Sequence, residues 1–388
     1  MLMSPQPQYH DTGKTSFFGD FAYQRVLARH RRHFLVVLTQ LFDWEAKTEA
    51  FIRLYKGHGV IGRRPYPPGM IFKMLFLSYL YNVSERAMEE LADLNVLIKW
   101  FLGIAVDEPA PDHSTLTAFK RRFVQSGNWL ALQGVFDDII RDAMAQGVQF
   151  GDLQVLDSVH TQADVNNAKD QHRQEHGGRP RDPEARVVNK GKRKVVQANG
   201  QTTSVAITYR GYKTHVAVNA HTGIVTSLHV TSGNGSDNKA FVPLREHERT
   251  LDLPTKAYGG DKAYDDTDIF ERLQQEGLDI AIALRQQRTA TKSATSQRWA
   301  DLQADLQYLQ ALKQRFRVEQ PFGIVKRWHG FEHCRYLGLA RYRLQAILTF
   351  LVHNLKRIVK LLTGVTFRPQ AKGQRAENCQ PVLGSCWA

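Results

Sequence analysis

Apolar residues recur at helical spacing through the first third of the chain and alternate with polar ones through the middle. Leu35, Leu38, Leu41 and Phe42 share one helical face, and Met70, Met74, Leu77 and Leu80 form a second stripe. Pro67 and Pro68 suit the start of that second helix, because a first-turn N–H has no partner to lose. Asn82-Val83-Ser84 reads as a turn ending in an N-cap, with a short helix over 85–94. The helix–turn–helix pattern fits a DNA-reading motif and an ordinary helix pair in a bundle equally well. Asp112 or Ser114 caps a further helix carrying Lys120, Arg121 and Arg122. Another runs from Trp129 to Met144 and is ended by Gly147.

The period changes near Gly151. LQVLDSVH, VAITYRGYKTHVAVNA and GIVTSLHVTSG read as half-buried strands, with His221-Thr222-Gly223 as a hairpin turn. The polar stretch at about 166–203 lacks periodicity and is expected to be an insertion without regular structure. Helix, strand, helix and strand follow over 237–251, 256–260, 266–276 and 278–284. A long helical region is expected over 299–328 and a last helix over 339–362. Three antiparallel strands, then alternating helix and strand, predict an α/β fold with an RNase H-like core: a mixed sheet with flanking helices, preceded by an all-helical region. The expected boundaries are 1–150 for a helical N-terminal DNA-binding domain, 151–365 for the catalytic domain and 366–388 for a tail.

Charge narrows the function. The 388 residues carry a formal net charge of +14, which favours a polyanionic partner. The excess is uneven: from Ala311 onward there are 14 Lys and Arg against Glu319, Glu332 and Glu377. The three cysteines show no CxxC spacing, which argues against a zinc site and for a reducing compartment. No apolar run approaches the length of a membrane span, and the first residues lack a signal-peptide pattern, so the expected location is the cytoplasm.

Three carboxylates stand out against that basic background. Asp157 ends the run DLQVLDSVH, Asp261 sits in YGGDKAYDD after a short strand, and Glu319 lies in RFRVEQPFGIVKRW. Phosphoryl transfer on DNA uses two hard cations held by such oxygen ligands, and Mg²⁺, with Mn²⁺ as a substitute, suits a small carboxylate set. Arg315 and Lys326 stand four residues before and seven after Glu319. On one continuous helix all three would share a face, with the cations placed to hold phosphates. Pro321 is expected to bend that helix. Asp237 reads mainly as a helix cap, and Tyr264 as a ring packed beneath the site.

These blocks resemble the DDE transposases of bacterial insertion sequences, of the insertion-sequence-5 and -4 superfamily. LDSVHTQADV resembles the family's first-Asp strand, YRGYKTHVAVNAHTGIVTSLHVTSGNGSDNKAF its central hairpin, GGDKAYDD its second-Asp turn and RFRVEQPFGIVKRWHGFEHCRY its Glu-bearing block. Arg315, Glu319 and Lys326 fall at the spacing of the family's Tyr-Arg-Glu-Lys signature, but Leu312 occupies the Tyr position. The resemblance implies Asp157, Asp261 and Glu319 as catalytic metal ligands. It implies double-stranded DNA, as terminal inverted repeats and target, for a partner, contacted by Arg315 and Lys326 and, in the helical region, by Lys120, Arg121 and Arg122. It also implies a homodimer or higher oligomer on DNA. An RNase H-like nuclease that cuts without joining, and a DNA-binding protein with a decayed core, are the competing readings.

Overall fold

The computed structural model describes residues 7–13, 17–60, 62–125, 127–196, 202–285, 302 and 304–367. The expected tail, from residue 368 on, and most of the basic loop after Leu284 lie outside the described residues.

Eight helices come first: α1 (Phe17–Arg29), α2 (Phe34–Leu41), α3 (Trp44–Thr48), α4 (Pro68–Leu80), α5 (Glu85–Leu94), α6 (Val96–Leu102), α7 (His113–Gln125) and α8 (Trp129–Ala145). Every residue of α4 is buried, so its apolar stripe is part of a helix hydrophobic all round, the signature of a central element. The turn to α5 is built as the sequence predicts. Asn82 takes a positive φ of 53°, and the Ser84 side chain accepts the Ala87 N–H at 3.1 Å.

The second half holds β1 (Leu153–Gln162), α9 (Asn167–Glu175), β2 (Arg186–Val196), β3 (Thr202–Asn219), β4 (Val225–Ser232), α10 (Asp237–Glu248), β5 (Ala257–Gly260), α11 (Thr267–Gln275) and β6 (Asp279–Ile282). Last come α12 (Leu306–Lys313), α13 (Glu319–His329) and α14 (Leu339–Thr363). The sheet order is β2-β3-β1-β5-β6, with β4 also paired to β3. β1, β3 and β4 are antiparallel neighbours, and β5 and β6 run parallel to β1. This is the RNase H-like arrangement. At the predicted hairpin, Gly223 adopts φ 70° and Asn219 Oδ1 accepts the Thr222 N–H at 3.1 Å, so the side chain closes the turn.

Two expectations need correction. The stretch 166–203 is not structureless, for it contains α9 and β2. Asn166 caps α9 through the Lys169 N–H, and β2 pairs with residues 202–211 of β3. Val187 on this ribbon is exposed and Val188 buried, but the run from Asn189 to Lys194 holds no apolar residue and so carries no alternation to read. The region 299–328 is not one helix either. A 3-10 turn over Gln314–Val318 separates α12 from α13.

α14 runs through the middle of the molecule and packs on β4, α2, α4, α7, α8 and α13, so one apolar core joins the helical segment to the sheet. Its buried Asn354 is satisfied by β4, accepting the Val225 N–H at 2.9 Å and donating to the Val225 carbonyl at 2.7 Å. The end of α13 is fastened to the α4–α5 turn. His329 Nδ1 lies 3.1 Å from the Tyr79 carbonyl, and Gly330 turns with φ 65° directly against Asn82. The Arg335 guanidinium donates to the Val83 carbonyl at 3.1 Å and to Asn82 Oδ1 at 3.0 Å while lying over the Tyr79 ring.

Candidate active site

Strand register sets the first two carboxylates. Leu156 of β1 is level with Gly260 of β5 in a parallel pair, so Asp157, which lies within β1 rather than at its end, and Asp261, directly after β5, come to the same height. Asp157 accepts its neighbour's N–H, from Ser158, at 2.7 Å. Asp261 accepts the Ala263 N–H at 2.9 Å and so caps the short turn Lys262–Tyr264. Burial pushes the Asp157 carboxyl up to about 6. The charges of Asp261 and Asp237 push the same way, while the Ser158 amide and Arg315 oppose them.

Tyr264 is fully buried among these groups, as its position in the sequence led us to expect. Its hydroxyl has no hydrogen-bond partner among the described residues. Burial first, then Asp237, Asp157 and Asp261, hold its proton far above the usual phenol range, which places three carboxylates around one ring.

Asp237 is more than a cap. Ser236 takes the N-cap position of α10 without a side-chain bond, and Asp237 turns to β3 instead. Lys213 Nζ lies 3.2 Å from Asp237 Oδ2, and His215 Nδ1 lies 3.1 Å from Oδ1 in a poorly aligned approach. The Ser158 hydroxyl also donates to it. Burial would raise the Asp237 carboxyl, but these donors outweigh it and hold the group far below the usual carboxylate range. Ser158 therefore links the two acids, its amide on Asp157 and its hydroxyl on Asp237. Sequence reasoning missed Lys213, His215 and Ser158. Only the pairing of His215 with Ser158 across β1 and β3 reveals them.

Glu319 opens α13 directly after the 3-10 turn, which packs on β1 and β5, and its side chain is exposed. Arg315 lies within that turn, so the expected four-residue helical offset to Glu319 does not hold, although its charge still reaches Asp157. Lys326 does share α13 with Glu319 at two turns' distance. Pro321 sits in the first turn of α13, where its missing N–H costs nothing, and it does not break the helix. Glu319 does not close onto the aspartates here. Among the described residues, the three acidic or imidazole side chains with ligand atoms within 4.8 Å of one another are Glu89 of α5 and Asp112 and His113 at the start of α7.

The basic triplet of α7 divides three ways. Lys120 is buried and pairs with Glu85, Arg121 is exposed, and the Arg122 guanidinium stacks 3.9 Å from the centre of the Tyr55 ring. The second helix of the turn motif, α5, carries Glu85, Glu89, Glu90 and Asp93 against Arg86 alone. A helix of that charge repels phosphates, which favours the bundle reading of the α4–α5 pair.

Comparison with known proteins adds two family matches. Residues 24–122 match the family described as Transposase domain (DUF772), and residues 159–355, just over half of the chain, match Transposase DDE domain. Among solved structures, the cryo-EM structure of a piggyBac transposase synaptic complex with hairpin DNA is similar over 85% of this chain and 75% of that one. The identity is 11% and the TM-score 0.42.

Proposed function

The chain belongs to the DDE transposase family, whose members carry out phosphoryl transfer on DNA in transposition, and we propose that it binds the inverted repeats at element ends, cuts there with Mg²⁺-activated water and joins the freed 3′-hydroxyl to target DNA. The observation that carries this reading is the level placement of Asp157 and Asp261 on adjacent parallel strands. Each carboxylate is held by a backbone N–H. The donor set is all oxygen, which suits a hard divalent ion, Mg²⁺ or Mn²⁺. Such ions, when bound, supply Lewis acidity toward a phosphodiester and its attacking water.

In this reading Asp157 and Asp261 hold the metal site and Glu319, at the exposed start of α13, completes it. Arg315, beside Asp157, and Lys326, further along α13, steady DNA phosphates. The expected catalytic unit spans 151–365. The helical segment over 1–150 contributes to end recognition and to pairing two copies, since two element ends have to meet. Among the described residues no helix is long and apolar enough to cross a membrane.

The test is cleavage and strand transfer on duplex DNA carrying the element ends. Asp157→Asn, Asp261→Asn and Glu319→Gln should each abolish cutting while end binding persists. A variant that cuts at the wild-type rate in Mg²⁺ removes that residue from the site. Cutting by wild type without any joining assigns a nuclease instead.

A further inference from the structure

We propose that the groove between α7, the loop over 330–338 and the start of α14 is a second DNA-contacting site, shaped for one nucleotide of a bound strand and its flanking phosphates. The proposal rests on the transposase reading for the identity of the polyanion. The groove holds about 450 Å³, and its lining includes Lys120, Arg121, Val124, Tyr336, Arg341 and Leu344.

Its chemistry has two parts. The rim is cationic: Arg121 and Arg341 are exposed, and among the described residues no carboxylate lines the groove. The floor is apolar and aromatic, from Val124, Leu337, Leu344 and the Tyr336 ring. Cations beside an aromatic and aliphatic floor match a nucleotide, which presents a flat apolar base and an anionic backbone. A lone inorganic anion would leave the floor unused.

The site is built rather than incidental. Glu85, beneath the groove, accepts from Thr117 Oγ1 at 2.9 Å, from the Tyr336 hydroxyl at 3.1 Å and from Lys120. That one carboxylate fixes three side chains of the groove. Lys120 lies with its ammonium 4.2 Å from the centre of the Tyr336 ring. Arg335 and Arg341 are close enough to add to the repulsion felt by Lys120, so three cations gather at this face. A potential of that sign in a concave surface concentrates polyanions.

The position also fits. The Gln162 N–H of β1 donates to the Glu332 carbonyl at 2.8 Å, which fastens the groove's loop to the end of the strand that bears Asp157. That anchor point lies five residues, roughly 17 Å, along β1 from Asp157, a length that duplex DNA covers in about five base pairs.

The experiment measures DNA binding by the full-length protein against salt concentration. The double variant Arg121→Gln/Arg341→Gln changes two exposed side chains and should leave the thermal midpoint in place. The slope of log K against log salt should fall by roughly 2, with affinity at moderate salt down about tenfold or more. The lysine double variant, Arg121→Lys/Arg341→Lys, should restore most of the slope. An unchanged slope in the glutamine variant overturns the proposal. So does an unchanged slope accompanied by lost self-association in sedimentation, which would assign the groove to an acidic protein surface. Wild-type cutting and joining is scored separately, so a failed transposase reading and a failed groove give different results.

Discussion

Asp157 on β1 and Asp261, directly after β5, stand at the same height, and burial makes the Asp157 charge costly. Its carboxyl is raised to about 6 from an ordinary 3.8. A folded-state pKa above the unfolded one gives stability that is full below pH 4 and lost as pH rises through 6. In metal-free buffer, Asp157→Asn should therefore be more stable than wild type at pH 8, by on the order of 2 kcal/mol after allowing for its partial exposure, and about equal at pH 4. Urea titrations at the two pH values read this directly. A variant less stable than wild type at pH 8 would mean that the protein compensates the charge by itself.

Asp237 behaves in the opposite sense. Its carboxyl is depressed, so its contribution is complete above pH 4 and declines as pH falls below that. Asp237→Asn should cost about 3 kcal/mol at pH 7, because it leaves the buried Lys213 ammonium without its counter-charge. Lys213→Met in the same background should recover part of the loss, and the double-mutant cycle gives the coupling. Additive single effects would show that the pair is not coupled.

His329 ties α4 to α14. It is buried, with Nδ1 on the Tyr79 carbonyl and Nε2 3.1 Å from Lys356 Nζ, and burial first, then Lys356, push it down to about 3. A histidine lowered in this way is neutral when folded, so stability should fall as pH drops from 6.5 towards 4. His329→Gln keeps a donor and an acceptor and should flatten that fall, leaving the part due to His353 and His229, each lowered to about 4. Thermal midpoints at pH 5 and 7 test it: an equal drop in both proteins would place the titration elsewhere.

Gly260 faces the Tyr264 ring. A Cβ there would lie 3.1 Å from Tyr264 Cδ2, and that ring is fully buried with little room to yield. Gly260→Ala should lower stability by roughly 1–2 kcal/mol and slow cutting more than it weakens end binding, because the displaced ring underlies both aspartates. Full cutting activity would show that the ring can shift.

Elements that bury one face were legible in the sequence. β1, β3 and β4 lie where alternation places them, β5 and β6 fall within the short strands expected between helices, and Ser84 and Gly223 act as their types predict. β2 was hidden because the run from Asn189 to Lys194 holds no apolar residue to set an alternation. The face shared by Arg315 and Glu319 was misread because composition does not distinguish a 3-10 turn from a helix, and the two have different periods. Asp237 looked like a cap, since its true partners, Lys213 and His215, belong to a strand more than twenty residues away. Asp157 and Asp261 were legible as candidates, whereas their common height required the register.

The fastening of α13 to the α4–α5 turn has a consequence for exchange between relatives. Gly330 accepts no side chain, because a Cβ would come within 2.8 Å of Asn82, and Arg335 reads the carbonyl of Val83. The helix that begins with Glu319 is thus anchored at its far end by residues some 250 positions earlier. A chimera that grafts a foreign helical segment ahead of residue 151 would inherit a mismatched anchor at the tail of its catalytic helix. Productive grafts should carry residues 329–336 along with the new segment, so the natural seams of this chain lie where its contacts end rather than where its helices give way to strands.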